Sequence, residues 1–93
     1  MKTIGIIAGN GRFPILVAEE AKRAGYRVVT CAIEQEAEPA LEKLSDAFSW
    51  VKVGELKKLS KFLKDEGAHE AIMAGKIEKV RFLKENVRFD LDM

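Results

Sequence analysis

The sequence predicts an α/β domain with a parallel sheet, because short apolar segments and longer amphipathic segments alternate along it. Four apolar segments are typical of strands, and segments with apolar residues three or four positions apart lie between them as helices. A glycine-rich turn joins the first strand to the first helix. With right-handed crossovers, this turn favours about four parallel strands in the order 3-2-1-4, with helices on both faces.

The first part of the chain supplies a strand, a helix and a second strand. Residues 3–8 are a continuous apolar run, typical of a strand buried on both faces. Residues 13–24 predict a helix, because Pro14 suits a first helical turn and Gly25 suits the position after the last. Residues 26–33 predict the second strand. We expect the inward stripe of the helix to consist of Phe13, Leu16, Val17, Ala21 and Ala24.

The alternation continues to the fourth strand. Residues 38–44 predict a short helix with its proline at the start, and residues 47–53 predict the third strand. A helix over residues 55–66 then follows, closed by Gly67, and residues 70–74 predict the fourth strand. The inward residues of that helix are expected to be Leu56, Leu59, Phe62 and Leu63.

The carboxyl-terminal residues suggest an incomplete architecture, because four strands make only half of a doubly wound sheet. We expect a Rossmann-like nucleotide- or phosphate-binding domain over residues 1–85. Residues 86–93 then begin a linker toward a carboxyl-terminal domain absent from this chain. A helix is expected around residues 78–84, and its apolar stripe should cover another surface. That stripe consists of Ile77, Val80, Leu83 and Val87.

The composition excludes several classes of protein. A formal net charge of +1 argues against a dedicated nucleic-acid binder, so we expect no nucleic-acid partner. The single cysteine, Cys31, excludes an internal disulfide framework and fits a reducing compartment. The apolar run at residues 4–8 is too short for a secretory segment or a membrane span, so we expect a cytoplasmic location.

The turn between the first strand and first helix is the strongest candidate site. Gly9 and Gly11 let the backbone approach a diphosphate, and Arg12 adds a charged fork. Asn10 lies between the glycines in the same loop. Pro14 stands where a dinucleotide fingerprint has its third glycine, which argues against ordinary NAD docking. A purely structural turn remains the alternative.

A second loop, Gly75 and Lys76, follows the fourth strand. In the order 3-2-1-4, strands one and four are neighbours, and ligands bind in the crevice beyond their carboxyl ends. We therefore expect Arg12 and Lys76 to face one anion from two sides. Glu34 follows the second strand, where an acid can hold a ribose hydroxyl, although a solvated acidic loop explains it equally well.

Several blocks of this sequence resemble the LpxI-type UDP-2,3-diacylglucosamine pyrophosphatases, in the family's order and over essentially the whole chain. The most specific are Gly-Asn-Gly-Arg-Phe-Pro within residues 4–14 and Met-Ala-Gly-Lys within residues 71–76. Further blocks lie at residues 18–21, 25–29 and 50–56.

The resemblance implies hydrolysis of UDP-2,3-diacylglucosamine to UMP and 2,3-diacylglucosamine 1-phosphate, by water attack on the α-phosphorus, in lipid A synthesis. It also implies a divalent cation, generally magnesium, bound mainly by the carboxyl-terminal domain, and a place peripheral to the inner membrane. Phe89 replaces the proline of a family stretch that precedes an aspartate, so Asp90 receives no catalytic role. We expect no catalytic residue in this chain and no appreciable hydrolysis by residues 1–93.

Two functions of other classes remain open on the residues alone. One is an NAD(P)- or nucleotide-binding module of an oxidoreductase or sensor, which needs Glu34 on the ribose and tolerance of Pro14. The other is a non-catalytic interaction domain whose glycine loop is only a turn. A homodimer also remains open.

Overall fold

The computed structural model describes residues 2–76, which form a single parallel sheet covered by helices. In chain order the elements are β1 (Thr3–Ala8), α1 (Phe13–Arg23), β2 (Arg27–Ile33), α2 (Leu41–Leu44), β3 (Ala47–Val51), α3 (Leu56–Asp65) and β4 (Ala71–Ala74). The strand order is β3-β2-β1-β4, which confirms the predicted fold class and topology. The helix expected around residues 78–84 and the linker expected from residue 86 lie outside the described residues.

β1 is the central strand and pairs in parallel with both β2 and β4. Ile6 stands opposite Thr30 on one side and Ile72 on the other. Because successive side chains of a strand point to opposite faces, each strand contributes to two cores. Ile6 and Ala8 face the α1 layer, whereas Ile7 faces α3. The continuous apolar character of residues 3–8 follows from this burial on both sides.

The α3 face is packed by large side chains. Leu59 and Leu63 of α3 are buried against Ile7, Val29 and other strand residues. Gly5 of β1 lets α3 lie close to the sheet, because an added Cβ would lie only 3.0 Å from Leu63 Cδ2 and 3.2 Å from the Glu70 carbonyl oxygen. The end of α3 is tied to β2, since Arg27 donates to both the carbonyl and the carboxylate of Glu66 at 2.7 Å.

The α1 face is built differently, and here the expected inward stripe is partly wrong. The buried residues of α1 are Pro14, Ala18 and Ala21, which are small and let the helix lie close to the sheet. Phe13 is 58% exposed and Leu16 is 47% exposed. The apolar sector of α1 is therefore wider than its contact with the sheet, and its bulky edge remains uncovered by residues 2–76.

Several element boundaries differ from the sequence prediction: α1, α3 and β4 differ by one residue at one or both ends, and β2, β3 and α2 differ as follows. β2 begins at Arg27, and β3 ends at Val51 because a turn follows, in which the Glu55 amide donates to the Lys52 carbonyl oxygen at 3.0 Å. α2 is reduced to its last four residues. The residues before it form a turn, with Leu41 donating to the Glu38 carbonyl oxygen.

Candidate functional site

Backbone hydrogen bonds join the loop after β1 to the loop after β4. The Gly9 amide donates to the Ala74 carbonyl oxygen at 2.8 Å. Beyond it, Asn10 and Lys76 exchange a pair of backbone bonds, with the Asn10 amide donating at 2.6 Å and the Lys76 amide at 2.9 Å. The structure therefore brings the two predicted glycine loops together at the carboxyl edge of the sheet. Arg12 and Lys76 are both exposed on these adjoining loops.

Gly75 is the residue that permits this close approach. Its φ is +91°, and an added Cβ would lie 2.6 Å from the Asn10 carbonyl oxygen and 2.9 Å from the Gly9 carbonyl carbon. The same Cβ would lie 3.0 Å from Pro14 Cγ. The tight contact that a third fingerprint glycine normally provides is thus made from the other loop, against a fully buried Pro14. Gly11, by contrast, has a φ of +105° and open space around it.

The junction changes which amides are available to a ligand. The N–H groups of Gly9 and Asn10 already donate within the protein, so they are not free for phosphate. The next three amides, those of Gly11, Arg12 and Phe13, have no acceptor within residues 2–76. They lie immediately before and at the first residue of α1, whose first turn contains no acidic residue. A helix start with open amides favours an anion, so the binding amides begin two residues later than the loop itself.

The two cations of the site have no carboxylate within 4 Å among the described residues. Arg12 has a planar guanidinium that can grip two phosphate oxygens, whereas Lys76 offers a compact point charge. Both residues are exposed on the joined loops. The arrangement can hold and orient an anion, and residues 2–76 contain no nucleophile–base pair beside it.

Glu34 lies at the carboxyl end of β2, at the same edge of the sheet, and is half-buried. Its amide donates to the Val51 carbonyl oxygen at 2.8 Å, which extends the pairing of β2 with β3. Gln35 follows with a φ of +70°, and Oε1 of Glu36 is buried without a partner in the part of the chain described. No hydrogen bond or ion pair among residues 2–76 joins Glu34 to the glycine loops.

The remaining reactive residues lie away from this edge. Cys31 is fully buried and its Sγ lies 3.9 Å from the Leu59 carbonyl oxygen. Burial raises the pKa of the Cys31 thiol to about 12, partly opposed by the charge of Lys58, so it is an inert core thiol as expected. His69 is exposed, as a surface histidine should be. Trp50 packs edge-on against Phe48 on β3, with ring centroids 5.3 Å apart.

Sequence reasoning missed an apolar groove beside the candidate site. It has a volume of about 450 Å³ and is called here the α1–β4 groove. Six of its lining residues are Ile4, Phe13, Leu16, Val17, Tyr26 and Ile72. A sequence signal for it existed: Pro14, Ala18 and Ala21 form a stripe of small residues at helical spacing, which marks the face that approaches the sheet. Of the larger apolar residues beside that stripe, Phe13 and Leu16 are left exposed.

The described residues also bear on the metal and the membrane that the resemblance implies. No group of three His, Cys, Asp or Glu side chains within the described range could hold a metal ion. A divalent cation held by one or two carboxylates and by substrate phosphates needs no such group, so the cation that the resemblance implies stays a prediction. None of the helices between residues 2 and 76 has the length and apolar character needed to cross a bilayer.

Comparison with known proteins identifies the family. Residues 3–93 match the LpxI N-terminal domain. The chain belongs to this family. It is also 30% identical over 82 residues to the UDP-2,3-diacylglucosamine pyrophosphatase LpxI of Caulobacter vibrioides, an alignment that covers 88% of this chain. The LpxI N-terminal domain described here spans only 29% of the length of that relative.

Proposed function

We propose that this chain is the nucleotide-diphosphate-binding part of a UDP-2,3-diacylglucosamine pyrophosphatase of lipid A synthesis. Its family membership supports the substrate, because the Caulobacter relative carries that activity in its name. The observation that carries the proposal is the backbone pair between Asn10 and Lys76. That pair joins open helix amides and two cations into one anion-binding edge.

The chemistry of a diphosphate explains why such an edge is useful. Its two phosphoryl groups carry negative charge that increases on the leaving group as water attacks the α-phosphorus. Amides and cations held in place before the reaction stabilise this charge without reorganisation. Gly11, Arg12 and Phe13 supply the amides, and the side chains of Arg12 and Lys76 supply the positive charge. These groups bind and orient the substrate.

The residues described here account for binding and not for bond cleavage. Magnesium, the attacking water and the carboxylates that hold them belong to parts of the enzyme outside residues 2–76 in this proposal. The 93-residue chain alone should therefore give no appreciable release of UMP. Peripheral attachment to the inner membrane and formation of a homodimer stay predictions.

Amide NMR of the 93-residue chain tests the binding proposal directly. On titration with UDP, the largest shifts are expected at Gly11, Arg12, Phe13 and Lys76, because these groups would contact the phosphates. Arg12→Ala and Lys76→Ala should each weaken UDP binding by roughly tenfold, since each removes a charge-assisted contact. Arg23→Ala is the matched control, because this arginine is exposed at the opposite end of α1. The Arg23→Ala variant should bind UDP as tightly as the parent chain does.

The same titration separates the alternatives. Tighter binding of NAD than of UDP, with shifts extending to Glu34, would favour a dinucleotide-binding module. No response to either nucleotide, at concentrations where the folded spectrum is intact, would favour an interaction domain. Either result contradicts the proposed function.

A further inference from the structure

The α1–β4 groove is a continuous apolar surface at the edge of the sheet. Phe13 is 58% exposed, Leu16 47% and Ile72 40%, and all three line the same groove. β4 is also an edge strand, with one side of its backbone unpaired by any described residue. Proteins usually cover such an edge with a helix or loop, and a contiguous apolar surface marks a contact site.

We propose that this groove is covered by the chain's own next segment, through the apolar residues that follow Lys76. The residues concerned are Ile77, Val80, Leu83 and Val87. Their spacing of three or four positions puts them on one side of a helical segment, while charged residues occupy most positions between them. The inference does not depend on the proposed function.

The position of Lys76 is the first argument. Its backbone pairs with Asn10, and Gly75 lies against Pro14 in the first turn of α1. Lys76, the last described residue, therefore lies near the first turn of α1, which contributes Phe13 to the groove. Because the following segment is covalently attached there, its effective concentration at the groove is in the millimolar range, and a modest apolar contact suffices to hold it.

The dimensions and charges also agree. α1 has 11 residues and extends about 16 Å, and a helical segment from Ile77 to Val87 would have the same length. The basic residues Arg81, Lys84 and Arg88 lie at positions beside the apolar stripe. On the groove side, Glu19 is exposed on α1, and Glu20 lines the groove with its carboxylate paired to Arg23 at 2.7 Å. The basic border of the segment can therefore approach Glu19 without meeting an unpaired cation of like charge on the groove lining.

Methyl NMR on the unmodified 93-residue chain provides the direct test. We expect nuclear Overhauser contacts from the methyl groups of Leu16 and Ile72 to those of Val80 or Leu83, because the proposal places them in contact. Mixing isotope-labelled and unlabelled chains distinguishes contacts within one chain from contacts between two. Contacts only between chains would show that a second copy covers the groove and would overturn the proposal.

A double-mutant comparison tests the same contact energetically. Met73 is the matched control, because it is 48% exposed against 47% for Leu16 but lies opposite Ile7, on the other face of the sheet from Ile72. Leu83→Ser should lower the folding equilibrium constant by about fivefold in the parent chain and have little effect once Leu16→Ser is present. Leu83→Ser should lower the folding equilibrium constant by the same factor whether or not Met73→Ser is present.

Three results would contradict the inference. Independent effects of Leu16→Ser and Leu83→Ser, together with absent methyl contacts, would mean that the segment does not touch the groove. Coupling of Leu83 to Met73 would place the segment on the other face of the sheet. Shifts of the Leu16 and Ile72 methyl groups only when lauric acid is added would identify the groove as a site for an acyl chain.

Discussion

The two faces of the sheet differ in how completely the described residues cover them. On the α3 face, Leu59 and Leu63 fill the space over the strands, and Arg27 ties the end of the helix to Glu66. On the α1 face, small residues let the helix approach closely beside β1, while Phe13 and Leu16 remain exposed toward β4. The α3 face is closed over β1 and β2, with Met73 exposed at its β4 edge, and this closed part supports the fold. The open face adjoins the joined glycine loops, where ligand and further chain are proposed to meet.

The largest expected effect comes from the closed face. Leu63→Ala should lower the free energy of unfolding by about 2–5 kcal/mol, because Leu63 is fully buried and its removal leaves a cavity. Leu16→Ala should cost less, about 1 kcal/mol, since residues 2–76 leave this side chain half exposed and the proposed contact with the following segment is worth about as much as Leu83→Ser removes. Urea unfolding of both variants measures the difference. Equal losses would mean that the two faces are equally covered, and would break the comparison.

The next largest effect comes from the contact between the loop after β4 and the loop after β1. Gly75→Ala should lower the free energy of unfolding by about 2–4 kcal/mol, because it combines backbone strain at φ +91° with a clash against Asn10. Gly11→Ala is the matched control, with similar strain at φ +105° and no neighbour within 4 Å. It should cost about 1–2 kcal/mol. Thermal unfolding compares the two, and identical losses would mean that close packing at Gly75 adds nothing.

Much of the fold could be predicted because it depends on local patterns. Strand and helix segments alternate, and the glycine turn after β1 indicates where the strand order changes direction. From that topology alone the loops of Gly9 and Gly75 could be expected at one edge. Which amides remain free could not be predicted, because the bonds between Asn10 and Lys76 depend on how two distant loops meet in space.

The orientation of α1 about its own axis could also not be predicted from the sequence. Periodicity identified an apolar sector containing Phe13, Leu16 and Ala21, and all three are indeed on one broad side of the helix. Which part of that sector touches the sheet depends on how closely the helix approaches, and this distance is set by the small side chains of Ala18 and Ala21. The spacing of apolar residues in the sequence does not predict the distance between α1 and the sheet.

The smallest expected effect tests how the α1 face is held on its side away from β4. There, the Asp46 carboxylate accepts from the Val28 amide at 2.7 Å and from Lys22 Nζ of α1 at 3.0 Å. The Val28 hydrogen bond first, and then Lys22, hold the pKa of Asp46 below its usual value of 3.8. A lowered folded-state pKa contributes stability that is present above 3.8 and lost as the pH falls through the folded-state value.

Asp46→Asn should therefore lower the free energy of unfolding at pH 7 by about 1 kcal/mol or less, because this carboxylate is exposed to solvent and screened. The difference between variant and parent should shrink as the pH falls below 3.8, since the parent then loses the same charge. Urea unfolding across that pH range measures it, with Asp65→Asn on the exposed face of α3 as the control. A difference that stays constant with pH would mean that Asp46 acts through its shape alone, and that polar contacts do not close this side of the α1 face.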